Sequence, residues 1–422
     1  MLDSILYRVR ALIPRKVFAW AQPFYHYSMA LVAALAYRFP SRRLTVIAVT
    51  GTKGKSSVTE ILNAILEEAG YKTALSNTIR FKVGERSEEN LFKMSMPGRM
   101  FLQRFLRRAV NAGCSHAVVE VTSQGAALHR HRFIDFDGLI FTNLAPEHIE
   151  AHGSYESYVQ AKLAIAEAVS RSRKPERILV ANAEDKETPR FMAKDFDLRI
   201  GYSLADAQPY ELHKEGFDMT VHGTKIHSNL SGEFNILNEL AAIYMAQELG
   251  VTLEACKRAI EKLAGIRGRV EKVDAGQDFT VVVDYAHTPD SLEKLYKVYR
   301  GSRRICVLGN TGGGRDVWKR DEMARIAERD CDEIILTNED PYDDDPMKIV
   351  ADMASAITTK TPYLVMDRRE AIHTALRMAR PGDAVLITGK GTDPYIMGPK
   401  NTKVPWSDAA VAREELEKLT KR

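Results

Sequence analysis

An apolar run, a glycine-rich turn and a periodic segment constrain this chain more than any other stretch of it. Residues 44–49 are apolar apart from Thr45, and the sequence Thr-Gly-Thr-Lys-Gly-Lys-Ser-Ser follows at 50–57. Apolar residues then recur with a helical period up to Gly70. We therefore predict a buried strand, a loop and a helix that ends at a glycine. In such a unit the loop N–H groups and the helix N-terminus point at one place, where a phosphate can bind.

The loop carries the residue types that phosphate binding requires. Lys55 can add a positive charge, and the hydroxyl of Ser56 can ligate Mg²⁺. The common P-loop pattern is incomplete, because Val49 stands where its first glycine would be. An ordinary tight turn is the alternative interpretation. We assign nucleotide binding to the loop, whose residues are Gly51, Thr52, Lys53, Gly54, Lys55, Ser56 and Ser57.

Length, charge and cysteine content exclude several classes of protein. A chain of 422 residues is too long for one core and predicts more than one domain. The net charge of +4 is small and no basic face is evident outside the first residues, so we expect no nucleic-acid partner. The four cysteines form no Cys-x-x-Cys pair. We therefore expect free, mostly buried thiols in a reducing compartment and no zinc site.

Residues 1–44 are rich in basic and aromatic side chains. They contain seven Lys and Arg residues against a single acid, Asp3. Two interpretations are open, a helical arm packed on the rest of the chain or a helix lying on an anionic membrane surface. The apolar stretch at 28–37 is about half the length of roughly 20 residues that a membrane span needs. We expect a cytoplasmic protein, either free or held at the inner face of the membrane by this arm.

Predicted strands and helices alternate twice beyond the loop, which indicates an α/β fold with mostly parallel sheets. We predict a helical arm at 1–44, a P-loop-type central ATPase domain at 45–267 and a Rossmann-like C-terminal domain at 268–422. A small antiparallel layer is expected within 195–232, and residues 265–269 are the predicted linker. The class is α/β throughout.

Polar residues follow several of the predicted strands in the first alternating set. Glu120 ends one strand, while Asn143 and His148 follow the next. Ligands of parallel sheets collect at the carboxyl ends of the strands, so these residues are expected on the same rim as Lys55.

Several stretches, taken together, resemble the Mur ligase family, whose members are ATP-dependent amide-bond ligases that build the peptide of peptidoglycan. The matching stretches occur in the family order at 51–57, 120–125, 141–148, 232–238 and 284–290. The likeness is strongest to the MurE branch, which adds the third amino acid to UDP-N-acetylmuramoyl-L-alanyl-D-glutamate. The resemblance implies that ATP phosphorylates a carboxylate and that an amine then attacks the acyl phosphate.

The resemblance implies ATP, two Mg²⁺ ions and a carbamylated lysine. Ser56 and Glu120 would ligate one ion, and His148 would lie beside the second together with a carbamate on Lys162. Lys55, Glu120, His148 and Lys162 are then the catalytic candidates. From the residues alone, Glu120 could be a solvated acid, His148 a packed histidine and Lys162 a surface lysine. Further nucleotide contacts are implied for the adenine, the phosphates and the ribose at Asn238, Arg269 and Asp284, respectively.

The resemblance also assigns the two substrates, a muropeptide precursor and an amino acid. Ser95, Ser123 and Arg130 match muropeptide contacts, and Arg315 matches the residue that binds the α-carboxylate of the amino acid. Further substrate contacts are implied at Glu339, Asp340 and Asp393.

The amino-acid site departs from the diaminopimelate-adding members of the family. Where those resemble Asp-Asn-Pro-Arg, this chain has Glu-Asp-Pro-Tyr at 339–342. Tyrosine cannot make the bidentate fork that arginine makes with a carboxylate. The run of acids at 339–345 favours a substrate with a cationic end, such as lysine, although such a run can also be a solvated loop.

A second departure concerns the UDP group. MurE relatives carry a UDP-binding domain before the phosphate loop, and 44 residues are too few for one. A folylpolyglutamate-synthase-like ligase and a ligase acting on a lipid-linked precursor are therefore the alternatives. A non-catalytic nucleotide-binding module is a further alternative, disfavoured because Glu120, His148 and Lys162 all occur. We expect a monomer.

Overall fold

The computed structural model describes residues 15–98, 100–146, 153–314 and 317–420, which form two large sheets covered by helices. The helices of this part of the chain are α1 Arg15–Ala36, α2 Lys55–Glu68, α3 Phe101–Asn111, α4 Ser123–Ala127, α5 Tyr155–Ser170, α6 Thr188–Met192, α7 Glu233–Glu248, α8 Leu253–Lys262, α9 Pro289–Val298, α10 Lys319–Asp330, α11 Pro346–Ser355, α12 Arg368–Met378 and α13 Asp408–Thr420. Short 3-10 turns lie at Pro40–Arg43, Leu204–Ala207 and Pro399–Asn401.

Within the described ranges the strands fall into four sheets. They are β1 Thr45–Thr50, β2 Thr73–Ser76, β3 Arg80–Val83, β4 Arg86–Glu89, β5 His116–Glu120, β6 Gly138–Phe141, β7 Ile178–Asn182, β8 Leu198–Tyr202, β9 Glu211–His213, β10 Gly216–Val221, β11 Thr224–Ser228, β12 Glu271–Lys272, β13 Thr280–Asp284, β14 Arg304–Leu308, β15 Glu333–Leu336, β16 Tyr363–Leu364, β17 Ala384–Thr388, β18 Tyr395–Met397 and β19 Lys403–Pro405.

The first large sheet has the order β4-β3-β2-β5-β1-β6-β7-β8, and it is parallel from β2 to β8. Alternate residues of β1 enter different cores. Ile47 and Val49 pack with α2 and α7, whereas Val46 and Ala48 pack with α3 and α5. Burial on both faces explains why β1 reads as an almost continuous apolar run instead of an alternating one.

The register of β1 decides which polar residues meet at the end of the sheet. Val49 pairs with Glu120 of β5, and Thr50 pairs with Phe141 of β6. The loop that leaves β1 therefore lies between the end of β5 and the segment that follows β6, as expected for a ligand site in a parallel sheet.

The second large sheet has the order β12-β13-β17-β14-β15-β16 and is parallel apart from β12. Helices α9, α10 and α11 cover one face, and α12 and α13 cover the other. The α/β class and its two parallel-rich sheets confirm the predicted fold class. The small antiparallel layer is also confirmed as β9–β11, while the β18–β19 pair was not predicted.

The prediction of four free thiols is wrong for one pair. Cys306 of β14 and Cys331, directly after α10, form a disulfide with a Cα–Cα distance of 6.1 Å. The two cysteines are 25 residues apart, so no local spacing pattern could reveal them. Cys114 and Cys256 are free and buried, as expected.

One side of α1 packs on the chain. Ala30, Ala33 and Ala34 are buried, and the ring of Tyr27 lies edge-on to Phe133 with 5.1 Å between centroids. The described part of the arm is therefore packed on its own protein, as the first of the two interpretations predicted. No helix in the described ranges is both long enough and apolar enough to cross a membrane.

A buried acid in α7 makes the stability of the fold depend on pH. The side chain of Glu239 is fully buried, and its Oε1 accepts a hydrogen bond from the Ser228 hydroxyl. Burial raises the pKa of Glu239 to about 8, against a smaller opposing effect of Ser228. The folded chain thus keeps a proton on Glu239 at pH values where the unfolded chain has released it.

We expect the free energy of unfolding to fall as the pH rises from 4.5, the ordinary pKa of a glutamate, toward about 8, by up to about 1.4 kcal/mol per pH unit from this group. Glu239→Gln cannot release the proton, so its urea-unfolding midpoint should fall less between pH 5.5 and 8.5. Glu248→Gln, at the exposed end of the same helix, is the matched control and should follow the wild type. Equal pH slopes for wild type and Glu239→Gln would contradict the assignment.

Candidate active site

The loop between β1 and α2 is fixed in shape by the segment that follows β6. The N–H of Thr52 donates to the Asn143 carbonyl over 2.8 Å, and the N–H of Lys53 donates to Asn143 Oδ1 over 2.9 Å. The hydroxyl of Thr142 donates to the Lys53 carbonyl over 2.6 Å. These bonds bring the chain so close that a Cβ at Gly51 would lie 1.9 Å from Thr142 Oγ1.

Gly54 ends the loop and precedes α2. Its φ of +83° lies in the left-handed region that glycine adopts without strain. A Cβ there would lie 2.4 Å from Asn238 Oδ1, on the first turns of α7. The predicted adenine contact, Asn238, therefore touches the phosphate loop, and its Nδ2 donates to Asn235. Ser56 and Ser57, both buried, fill the first turn of α2 behind the loop.

Two lysine ammonium groups converge on one carbonyl of the loop. Lys55 Nζ donates to the carbonyls of Gly51 and Thr52 over 3.0 and 2.8 Å. Lys162 Nζ, from α5, donates to the same Gly51 carbonyl over 2.6 Å. The Lys162 side chain is 1% exposed, so it is not the surface lysine that the residue type alone suggested. Paired positive charge at a helix N-terminus attracts an anion.

Glu120 collects hydrogen bonds from every side at the end of β5. Its carboxylate accepts from the Ser56 hydroxyl over 2.9 Å, from the Ser95 hydroxyl over 2.9 Å and from the N–H of Thr78 over 3.1 Å. Burial alone would raise the pKa of Glu120, but the charge of Lys55 and these hydrogen bonds outweigh it and hold the pKa below its usual value. Glu120 is thus a buried anion in a cluster of hydroxyls.

This cluster fits magnesium. Mg²⁺ prefers oxygen ligands and commonly binds one or two carboxylates together with water and phosphate oxygens. Glu120 and Ser56 offer such oxygens beside the loop. The Thr78 hydroxyl, which donates to Glu120 Oε1 over 3.0 Å, is a third. Across the described ranges, His, Cys, Asp and Glu side chains form no group of three that could hold a metal ion. A magnesium ion here would therefore rely on Glu120, hydroxyls and substrate oxygens.

Two residues next to strands of the second large sheet extend this rim. Arg269 precedes β12, and Asp284 ends β13. Arg269 Nη2 donates to Ser56 Oγ over 3.3 Å, and the guanidinium lies 4.7 Å from the Tyr285 ring centroid. Asp284, at the end of β13, accepts N–H bonds from Val270 and Ala286 over 2.7 Å each. Burial raises the pKa of Asp284, while Arg269 opposes the shift. Asp284 therefore fixes the backbone that carries Arg269.

The predicted muropeptide contacts lie next to Glu120. Ser95 bonds the hydroxyl of Thr78 over 2.6 Å as well as Glu120, so its loop is attached to the hydroxyl groups around Glu120. Arg130 donates to the Met96 carbonyl in the same loop. Ser123 opens α4, a short helix whose preceding Thr122 hydroxyl accepts from Gly125.

The predicted amino-acid contacts form a second cluster, which we name the amino-acid pocket (Glu339, Asp340, Lys390 and Asp393). Asp340 Oδ1 accepts from Lys390 Nζ over 2.8 Å, and Asp393 lies 3.4 Å from the same ammonium. Burial, and then the charge of Asp340, raises the pKa of Glu339. We call each large sheet with its helices a unit, numbered in chain order. Lys93 reaches this pocket from the loop that follows β4 in the first unit, and its Nζ lies 2.6 Å from Asp340 Oδ2.

The sequence analysis assigned no role to three residues that lie at these clusters, Thr78, Lys93 and Lys390. Thr78 and Lys93 lie in irregular segments that carry no motif. His148 and Arg315 fall outside the described residues, so their roles stay predictions.

Two family models match this chain, and curated relatives match most of its length. A family model described as the Mur ligase middle domain matches residues 49–246, and one described as the Mur ligase, glutamate ligase domain matches residues 268–391. A UDP-N-acetylmuramyl-tripeptide synthetase of Roseiflexus sp. (strain RS-1) is 37% identical over 420 residues, covering 93% of this chain and 82% of the relative. A UDP-N-acetylmuramoyl-L-alanyl-D-glutamate–2,6-diaminopimelate ligase of Syntrophomonas wolfei subsp. wolfei is 35% identical, with 92% and 81% covered.

Solved structures give the same picture. The structure of a UDP-N-acetylmuramoyl-L-alanyl-D-glutamate–2,6-diaminopimelate ligase matches with a TM-score of 0.61 and 26% identity, over 89% of this chain and 79% of that chain. A Mycobacterium tuberculosis folylpolyglutamate synthase matches with a TM-score of 0.70 over 94% and 95% of the two chains. Its identity of 16% shows a shared fold alone.

The contact between Gly54 and Asn238 provides a test of the nucleotide site. Gly54→Ala places a Cβ against Asn238 Oδ1, so the loop or α7 must shift, and we expect ATP to bind at least tenfold more weakly in a calorimetric titration. Gly70→Ala is the matched control, because Gly70 has a similar φ of +88° but open space around its Cβ position. The control should cost about 1 kcal/mol of stability and leave ATP affinity unchanged. Equal ATP affinities for the two variants would remove Gly54 from the site.

Proposed function

Because this chain belongs to the Mur ligase family of ATP-dependent ligases, we propose that it joins an amino acid to the carboxylate of a muramoyl-peptide precursor of peptidoglycan. The observation that carries the proposal is the continuity of two clusters. One loop holds Ser95, which binds Glu120 beside the phosphate loop, and Lys93, which binds the amino-acid pocket. A carboxylate activated at the first cluster would lie next to an amino acid whose side chain is held at the second.

The charges of the site suit a reaction between two anions. A carboxylate must approach the γ-phosphate of ATP, and both repel each other. Lys55 and Arg269 flank Ser56 from opposite units and lower that repulsion. Mg²⁺, when bound at Glu120 and Ser56, would neutralise phosphate charge and hold the oxygens in place.

The amide-forming step follows from the same arrangement. The activated carboxyl is an acyl phosphate, and the amine attacks its carbonyl carbon. The C–N bond forms, the tetrahedral intermediate expels phosphate, and the amine loses a proton. Because the groups come from two units, the units must be closed around the substrates before chemistry. The contact from Arg269 to Ser56 is of the kind that closure would make.

For Lys162 we propose a carbamate and, with His148, a place near a second magnesium ion. The support is the position of Lys162. It is buried in α5, its Nζ bonds the Gly51 carbonyl, and it lies 4.9 Å from the Tyr158 ring centroid. A carbamate would replace the ammonium with two oxygens directed at the phosphate loop, which are ligands that magnesium accepts.

The carbamate can be read without turnover. Wild-type protein in ¹³C-bicarbonate should show a carbamate carbon resonance, and Lys162→Met should lose it. Lys186→Met, which removes an exposed lysine near the same helix, should keep it. Lys162→Met should also lower the ligase rate at least a hundredfold. A wild-type spectrum without the resonance would remove the carbamate from the proposal.

The acceptor that we propose is lipid-linked or UDP-linked, and exposed apolar side chains favour contact with a membrane surface. Val32 and Leu35 of α1 are 50% and 58% exposed. Leu91 and Phe92, in the loop that carries Ser95, are 51% and 53% exposed. Apolar side chains on a helix beside a basic segment suit the surface of an anionic bilayer.

ADP and phosphate release with Mg²⁺ tests the function. Three acceptors are compared, UDP-muramoyl dipeptide, its lipid-linked form in anionic vesicles, and dihydrofolate, each with a panel of amino acids. We expect turnover with a muramoyl acceptor and none with dihydrofolate. If no muramoyl acceptor supports turnover, the proposal is wrong.

The membrane contact is tested separately, by co-sedimentation of the protein with anionic vesicles. Val32→Ser with Leu35→Ser should reduce co-sedimentation with vesicles several-fold. Leu364→Ser with Val404→Ser removes similarly exposed apolar groups in the second unit and should not. Equal binding by both double variants would exclude α1 as the contact.

A further inference from the structure

Lys93 is half-buried among neighbours that are exposed. Its side chain is 16% exposed, whereas the apolar side chains of Leu91, Phe92 and Met94 are 51%, 53% and 45% exposed. Lys93 also has a φ of +54°, which is uncommon for a residue with a Cβ. The apolar side chains of this loop are exposed while its lysine is half-buried, so the lysine charge contributes to fixing the loop against the rest of the chain.

The charge is held by the other unit. Lys93 Nζ lies 2.6 Å from Asp340 Oδ2 and 2.9 Å from Asp393 Oδ2. The two carboxylates raise the pKa of Lys93 against the opposing effect of burial, so the amine is an ammonium. Asp340 belongs to the acidic run that favours a cationic end of the amino acid, and Asp393 is a further substrate contact that the resemblance implies.

Each aspartate of the amino-acid pocket is matched by a lysine when Lys93 is in place. Asp340 and Asp393 carry two negative charges, and Lys93 and Lys390 supply two positive ones. Asp340 Oδ1, which accepts from Lys390, also accepts the N–H of Met397 over 2.8 Å. A further ammonium entering this pocket would find both carboxylates already engaged and would have to displace Lys93.

Resting on the proposed function, we propose that Lys93 determines the specificity of the amino-acid pocket. Its ammonium fills the cation position between Asp340 and Asp393, so the pocket selects an amino acid whose side chain does not end in a positive charge. Lys93 contacts Asp340 and Asp393, at the side-chain end of the amino acid and not at the reacting amine. We therefore describe it as a specificity residue and not as a catalytic one.

L-Lysine and L-norleucine isolate the effect, because norleucine has the carbon chain of lysine without its ammonium. Both are titrated calorimetrically into the full chain with ATP and Mg²⁺ present. Removing the Lys93 ammonium leaves Asp340 and Asp393 short of one cation, which lysine can supply. We expect Lys93→Met to increase the lysine-to-norleucine affinity ratio at least tenfold over the wild type.

Two further variants act as controls. Lys93→Arg keeps the positive charge and should keep the wild-type ratio. Arg86→Met removes a charge from β4, where the side chain is 76% exposed, and should also keep it. Circular dichroism confirms that each variant is folded before titration.

A smaller change in the ratio, including equal loss of both ligands or no lysine binding by either form, overturns the proposal. Equal loss would mean that Lys93 only holds the two units together. The titration needs no acceptor and no turnover, so its failure is distinct from a failure of the ligase assay.

Discussion

The parallel pairing of β1 with β5 and β6 is the constraint on which the rest of the site depends. The register sets Val49 beside Glu120 and Thr50 beside Phe141. A shift of one residue would turn every side chain of β1 to the opposite core. Because β1 is buried on both faces, the register is fixed, and the loop must leave the sheet between a carboxylate and a pair of polar residues. The phosphate loop has its shape because Thr142 and Asn143 are there to bond it.

Concentrated charge is the second feature of the site, and the chain stabilises it with its own backbone. Lys55 and Lys162 repel each other near Gly51, and the loop carbonyls that accept from both ammonium groups offset that repulsion. Glu120 is buried but receives several hydrogen bonds, and a buried carboxylate needs such partners. Preorganised charges of this kind can stabilise developing charge without rearranging when substrates arrive.

The acidic run at 339–345 is largely engaged by hydrogen bonds and ion pairs within the fold. From the sequence, a site for a cationic substrate and a solvated loop are both open interpretations. Asp345 caps α11 through the N–H of Met347, Asp344 accepts the N–H of Gly313, and Asp343 accepts the N–H of Lys400. Asp340 is engaged by lysines from two units. The available charge of the run is therefore far lower than its count of acids suggests.

The sequence by itself determined the local structure and the family. Apolar periodicity predicted β1 and α2, because a strand buried on both faces and an amphipathic helix leave patterns within a few residues. The resemblance to the family, and not periodicity, implied the roles of Glu120, Lys162 and Arg269.

Only the tertiary structure decided which distant groups meet. The Cys306–Cys331 disulfide joins residues 25 apart, and Lys93 meets Asp340 across 247 residues. Neither leaves a local pattern. The cysteines meet once β14 and β15 have paired within the second large sheet, and Lys93 meets Asp340 only after the two large sheets have formed and packed. The choice of partner for a charge is a property of the folded chain.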